Sequence, residues 1–150
     1  YHLSLANAAY RFANQLSKEE KKINPLPKSA HSLNLVMRKV NHLCYKKDIK
    51  RMKEVLYLVS ISEHIQLIKN APTNLEAHAS LANAYVALSR LYKAQGNAEE
   101  KFKTATEKAI QEFKIIDHYS PNDPWVHAQL ASCYHDLKMF KEEIQIKLKR

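Results

Sequence analysis

His78-Ala79-Ser80-Leu81-Ala82-Asn83-Ala84-Tyr85 decides how this chain folds. The same frame returns 49 residues later as His127-Ala128-Gln129-Leu130-Ala131-Ser132-Cys133-Tyr134. Pro72 and Pro121 precede the two copies at that spacing, as do Asn74 and Asp123. A shared apolar run arises easily in an Ala-rich chain, whereas a proline in register with it does not. A fixed internal period marks a repeat architecture, in which each unit buries its apolar face against its neighbour. One step further back the repeat is degenerate, with Asn83 falling on Asn34 and Gly96-Asn97 on Lys47-Asp48. His2-Leu3-Ser4-Leu5-Ala6-Asn7-Ala8 restates the 78–84 frame at six of seven positions.

Within one unit, apolar residues recur at Ala77/His78, Leu81, Tyr85, Leu88 and Leu91/Tyr92. Steps of three and four predict a helix with one buried stripe. Asn74 or Thr73 supplies its N-cap, and Glu76 sits in the first turn, where the helix dipole favours a carboxylate. Gly96, the only glycine in the chain, suits a left-handed stop. A second stripe follows through Ala98, Phe102, Ala105, Ala109, Phe113 and Ile116 until Pro121 ends it. Two long helices joined by so short a turn lie antiparallel.

These residues resemble the tetratricopeptide repeat (TPR) family. His78 stands where the family carries a large residue, and Leu81, Ala82 and Tyr85 take the Leu, small and Tyr places that follow. Ala109, Phe113, Ile116 and Pro121 match the second helix, and His127, Leu130, Ala131 and Tyr134 open another copy. The match is good over 72–150 and weak before it. The family repeat is about 34 residues long. Here the period is 49, which predicts a hairpin taller by about two turns in each helix.

The expected fold is therefore all-α: tandem antiparallel helical hairpins stacked as a TPR-like right-handed superhelix, an α-α solenoid forming one domain over 1–150. Residues 1–22 read as a capping helix or remnant repeat, 23–71 as a degenerate repeat, 72–120 as the elongated repeat and 121–150 as a shorter, truncated one. Asn24-Pro25-Leu26-Pro27 reads as a rigid linker. Helices are expected at about 2–22, 30–46, 48–70, 73–95, 97–119, 124–137 and 139–150, with turns near Lys47-Asp48 and Lys138-Met139. An opening at Tyr1 rather than Met, and an uncapped Lys149-Arg150 end, read as an excised piece of a longer protein.

Composition excludes several chemistries. With one Gly in 150 residues, neither a phosphate-cradling loop nor a dinucleotide-binding turn can be built. No apolar run reaches the ~20 residues of a membrane span. Cys44 and Cys133 read as two reduced, buried thiols in a cytoplasmic setting, and they are too few for a thiolate zinc site. Among the eight histidines, His78 and His127 occupy equivalent repeat places and read as packing residues. No spacing suits a metal ligand set or a catalytic triad, so no metal, no cofactor and no enzymatic activity are expected.

What remains is surface. In the family that these residues resemble, the first helices of successive hairpins line a concave groove that takes peptides. Transferring that pattern places Glu76, Asn83, Val86 and Arg90 on the groove face of one repeat, with Ala79 and Ala87 beside them. Trp125, Ser132, His135 and Asp136 take the corresponding face of the next. Asn7 and Asn34 are candidates for the same amide role as Asn83, and Trp125 reads equally as an aromatic anchor or as a staple at the helix start. The net charge is +9, and most of the excess lies in Arg38, Lys39, Lys46, Lys47, Lys50, Arg51 and Lys53. Such a patch speeds capture of an anionic partner. The leading expectation is a scaffold or adaptor that binds a protein or peptide segment, acidic by charge complement. The alternatives are a secretion-chaperone-like TPR protein, or nucleic-acid or anionic-surface binding through 38–53, where Tyr45 alone interleaves with the cations.

Overall fold

A computed structural model describes residues 2–22, 32–96 and 98–148, with side chains at 3–16, 18, 43–96, 98–139 and 141. The expected 24–27 linker, Asn97 and the Lys149-Arg150 end lie outside the described residues. Those described are all-helical: α1 (His2–Lys22), α2 (Ser32–Asn70), α3 (Leu75–Gln95), α4 (Glu99–Tyr119) and α5 (Pro124–Leu148). Each helix packs on the next in chain order. No helix among the described residues is long and apolar enough to cross a membrane.

The elongated hairpin forms as the sequence predicts. Asn74 caps α3, its side-chain Oδ1 accepting from the Ala77 N–H at 3.0 Å. Gly96 ends the helix at φ 73°. Lys101 lies over the Tyr92 ring and Lys108 over Tyr85, so residues advancing on α4 meet residues receding on α3, and the two run antiparallel. The period of 49 also survives in the turns. The Asn74 N–H bonds to the Ala71 carbonyl at 3.1 Å, and the Asp123 N–H to the Ser120 carbonyl at 3.2 Å, each across a proline. Proline at the second position of such a turn presets its φ. A Cβ added at Gly96 would meet nothing within 4 Å, so its cost is purely conformational. Gly96→Ala is expected to cost about 1 kcal/mol and Gly96→Asn less, because Asn tolerates the left-handed region. Urea unfolding curves of the two variants check this order.

Two expected turns do not exist. The predicted helices 30–46 and 48–70 are one continuous helix of 39 residues, about 58 Å long. The repeat frame places a turn at Lys47-Asp48, but Lys47 stands where the other copy has its glycine, and nothing from Cys44 to Lys50 breaks a helix. The predicted helices 124–137 and 139–150 are likewise one, α5, because Lys138-Met139-Phe140-Lys141-Glu142-Glu143 holds good helix formers without Gly or Pro. The consequence shows at equivalent repeat places. Tyr85 is 7 % exposed under α4, whereas Tyr134 is 47 % exposed, because no described helix folds back over α5.

The core lies where α3 meets its neighbours. Leu81, Ala82, Phe102, Ala109 and Phe113 are essentially inaccessible, with Tyr57 and Ile61 entering from α2 and Val126 and Cys133 from α5. Alanines at 82, 84, 105 and 109 let α3 and α4 approach closely. His78 joins two elements. Its ring nitrogens lie 2.6 Å from a Glu112 carboxylate oxygen on α4 and 2.9 Å from the Pro72 carbonyl. His127, by contrast, is exposed and pairs with Asp117 at 2.9 Å, so the expectation that both histidines are packed holds only for His78. Cys133 is buried as expected, but Cys44 is exposed, which corrects its reading as a core thiol.

His64 is 2 % exposed on α2. Its Nδ1 donates to the Ser60 carbonyl at 2.8 Å, while Nε2 has no partner among the described residues. Burial pushes its pKa below the usual 6.5, outweighing that backbone bond. The unfolded chain therefore binds a proton that the folded chain resists, and stability present above pH 6.5 is lost as pH falls below it. His64→Leu should flatten the decline in urea-unfolding free energy between about pH 8 and pH 5 relative to the parent. Parallel slopes for the two proteins would refute it.

Candidate functional site

The basic run and the predicted groove face meet in one place. Lys46, Lys50, Lys53 and Tyr57 recur at four, three and four residues, which sets them on a single stripe of α2. Helices α1 and α3 flank that stripe. Tyr57 donates its hydroxyl to Asn14 Oδ1 on α1 at 2.9 Å. Tyr92 of α3 donates to Glu54 of α2, also at 2.9 Å. Between them α1 and α3 leave a trough over α2. Its volume is about 640 Å³, and its walls are Tyr10 and Asn14 of α1, the stripe of α2, and Ala87, Arg90, Leu91 and Ala94 of α3.

Every charged side chain among the described lining residues is cationic: Lys46, Lys50, Lys53 and Arg90. Among the described residues, Lys46, Lys50 and Arg90 have no carboxylate partner. Four like charges in one trough repel each other and draw anions. The α3 wall is low because Ala87 and Ala94 are small. The Tyr10 and Tyr57 rings tilt against each other with centroids 5.9 Å apart, so each is occupied by the other. Asn14, its carbonyl oxygen engaged by Tyr57, keeps amide N–H groups to donate.

The predicted residues divide as follows. Arg90 lines the trough, and Ala87 beside it does so too. Glu76, Asn83 and Val86 share α3 with it but do not line the trough. Ser132 and His135 are exposed on α5, away from it. Asp136 joins α5 to α3 through Lys93 at 3.3 Å. Trp125, 42 % exposed, meets the buried Phe113 of α4 edge-on at 5.7 Å. Of the basic run, Lys47 and Arg51 point elsewhere; Arg51 borders an apolar recess with Phe12, Met52, Val55 and Leu56. The side chains of Arg38, Lys39 and Asn34 lie outside those described. Asn7, exposed, lies one turn before Tyr10 on α1. The residues that sequence reasoning missed are Tyr10, Asn14 and Tyr57. For α1 the signal was the restated 78–84 frame, which sets Tyr10 and Asn14 one and two turns beyond Asn7.

A second hollow of about 470 Å³ opens on the opposite face of α3, between Leu58 and Ile65 of α2, Tyr85 and Tyr92, and Lys101 and Lys108 of α4. Glu54 holds three helices together at its edge, accepting from Tyr92 and lying 3.3 Å from Lys101 Nζ. Burial first, then that bond to Glu54, pushes the Tyr92 hydroxyl up to about 12. The Cys133 thiol is pushed up to about 11, by burial and then by Asp136 against the opposing Arg90, so it is not a thiolate at neutral pH. No three His, Cys, Asp or Glu side chains converge as metal ligands among the described residues. The chain matches none of the family models, curated proteins or solved structures with which it was compared.

Proposed function

We propose that this chain is a non-catalytic interaction module, a scaffold or adaptor, that holds a segment of another protein in the trough of α1, α2 and α3. Stacked as a TPR-like right-handed superhelix, the helices α1, α3 and α5 form the inner row, with α2 and α4 outside. The observation that carries the reading is the three-helix trough itself: it is open, built on rigid helices, and lined by polar groups that converge from all three. A volume of about 640 Å³ suits a short stretch of chain. The free thiol of Cys44 at the surface fits a reducing, cytoplasmic setting.

Selection from a random peptide library tests it. Peptides are expected that bind the parent and lose at least about tenfold in affinity to Ala87→Trp, whose ring fills the trough, while circular dichroism shows the helices intact. Failure to recover any peptide sensitive to Ala87→Trp would overturn the reading.

A further inference from the structure

We infer that the trough takes an extended, carboxylate-rich segment in which acidic residues alternate; this rests on the reading above and specifies its partner. Lys46, Lys50 and Lys53 follow one another at about 6 and 4.5 Å along α2. A strand presents successive same-side residues about 6.6 Å apart, so alternate Asp or Glu side chains fall opposite successive lysines, and the long lysine stems absorb the remainder. Arg90 faces them from α3 and adds a fork suited to a carboxylate. A helical partner offers the same charge spacing, but its backbone carbonyls are paired within it and leave the Asn14 amide unanswered. Extended backbone needs partners of its own, and the Asn14 amide group stands on the α1 wall to donate to a carbonyl. Ala87 and Ala94 leave room for main chain to pass. Single-stranded nucleic acid has a comparable charge spacing but binds through stacking on open rings, and of the two rings in the trough Tyr57 is only 4 % exposed, with Tyr10 half-buried against it.

The test measures binding of a capped dodecapeptide of alternating Glu and Thr, its Gln-for-Glu counterpart, and a twelve-nucleotide poly-U RNA. The Glu peptide is expected to bind at least about tenfold more tightly than the other two. Lys50→Glu and Arg90→Glu should each weaken it by about tenfold or more, and Lys50→Gln by less. Lys47→Glu, with the same change in total charge but outside the trough, should weaken it less than about twofold. Equal binding of the Gln peptide, still lost in Ala87→Trp, would overturn the acidic assignment and leave the segment-binding reading in place. Preference for poly-U, or equal losses at Lys47 and Lys50, would overturn the assignment of this trough to an acidic segment. So would no binding of the Glu peptide.

Discussion

Phe113→Ala is expected to lower the unfolding free energy by about 3–5 kcal/mol. Phe113 is completely inaccessible on α4. It lies in the core that α3 and α4 share, and Trp125 of α5 meets its ring edge-on. Truncation thus leaves a cavity at the junction of three helices. It also removes the surface on which the N-terminus of α5 rests. Against a total stability of about 5–15 kcal/mol, the loss is a large share, and it corresponds to a fall in midpoint temperature of roughly 10–15 °C. Trp125 is the only tryptophan, so its fluorescence reports the junction directly. Its emission should shift to longer wavelength in the variant below the unfolding transition, as the half-exposed ring loses its apolar partner. A loss below about 1 kcal/mol would mean that α5 does not rest on this ring.

Lys47→Pro is expected to cost about 3 kcal/mol or more, while Lys47→Ala is nearly neutral. The Lys47 side chain is exposed, so the difference between the two isolates the backbone. Inside a helix, proline removes the N–H bond to the carbonyl of Leu43 and drives its ring into that carbonyl. The damage should reach the trough, since Lys46 and Lys50 sit within a turn of the break. Urea unfolding and helical circular dichroism of the two variants read the effect. Stability equal to that of Lys47→Ala would dismantle the continuous α2.

The elongated hairpin was legible because each of its boundaries is a local chemical event. Asn74 caps through its own side chain, Gly96 supplies a positive φ that other residues resist, and proline presets the turns before α3 and α5. The two overestimated turns were inferred from period rather than from such events. Lys47-Asp48 inherits the register of Gly96-Asn97 without its glycine, and Lys138-Met139 has no breaker, so propensity prevailed over periodicity in both. The packed reading of His127 failed for the same reason: its equivalent, His78, is buried by the helix that folds back over it, and no described helix folds back over α5. Arg90 and the lysine run were each visible in the sequence, on separate grounds, but nothing in either said that they face each other.

The order and spacing of residues by themselves determined that this chain is helical, that 73–119 doubles back on itself, and which apolar stripes meet inside it. These follow from hydrogen bonds and dihedral preferences between residues only a few positions apart. Only the tertiary structure decided that α2 runs unbroken, that Lys46, Lys50 and Lys53 turn inward while Lys47 and Arg51 turn away, and that Tyr10 and Asn14 complete the trough. The reason is that a groove is a relation among three separate helices. Which stripe of α2 lies between α1 and α3 depends on how their apolar faces mesh, and side-chain packing at that distance leaves no local mark in the sequence.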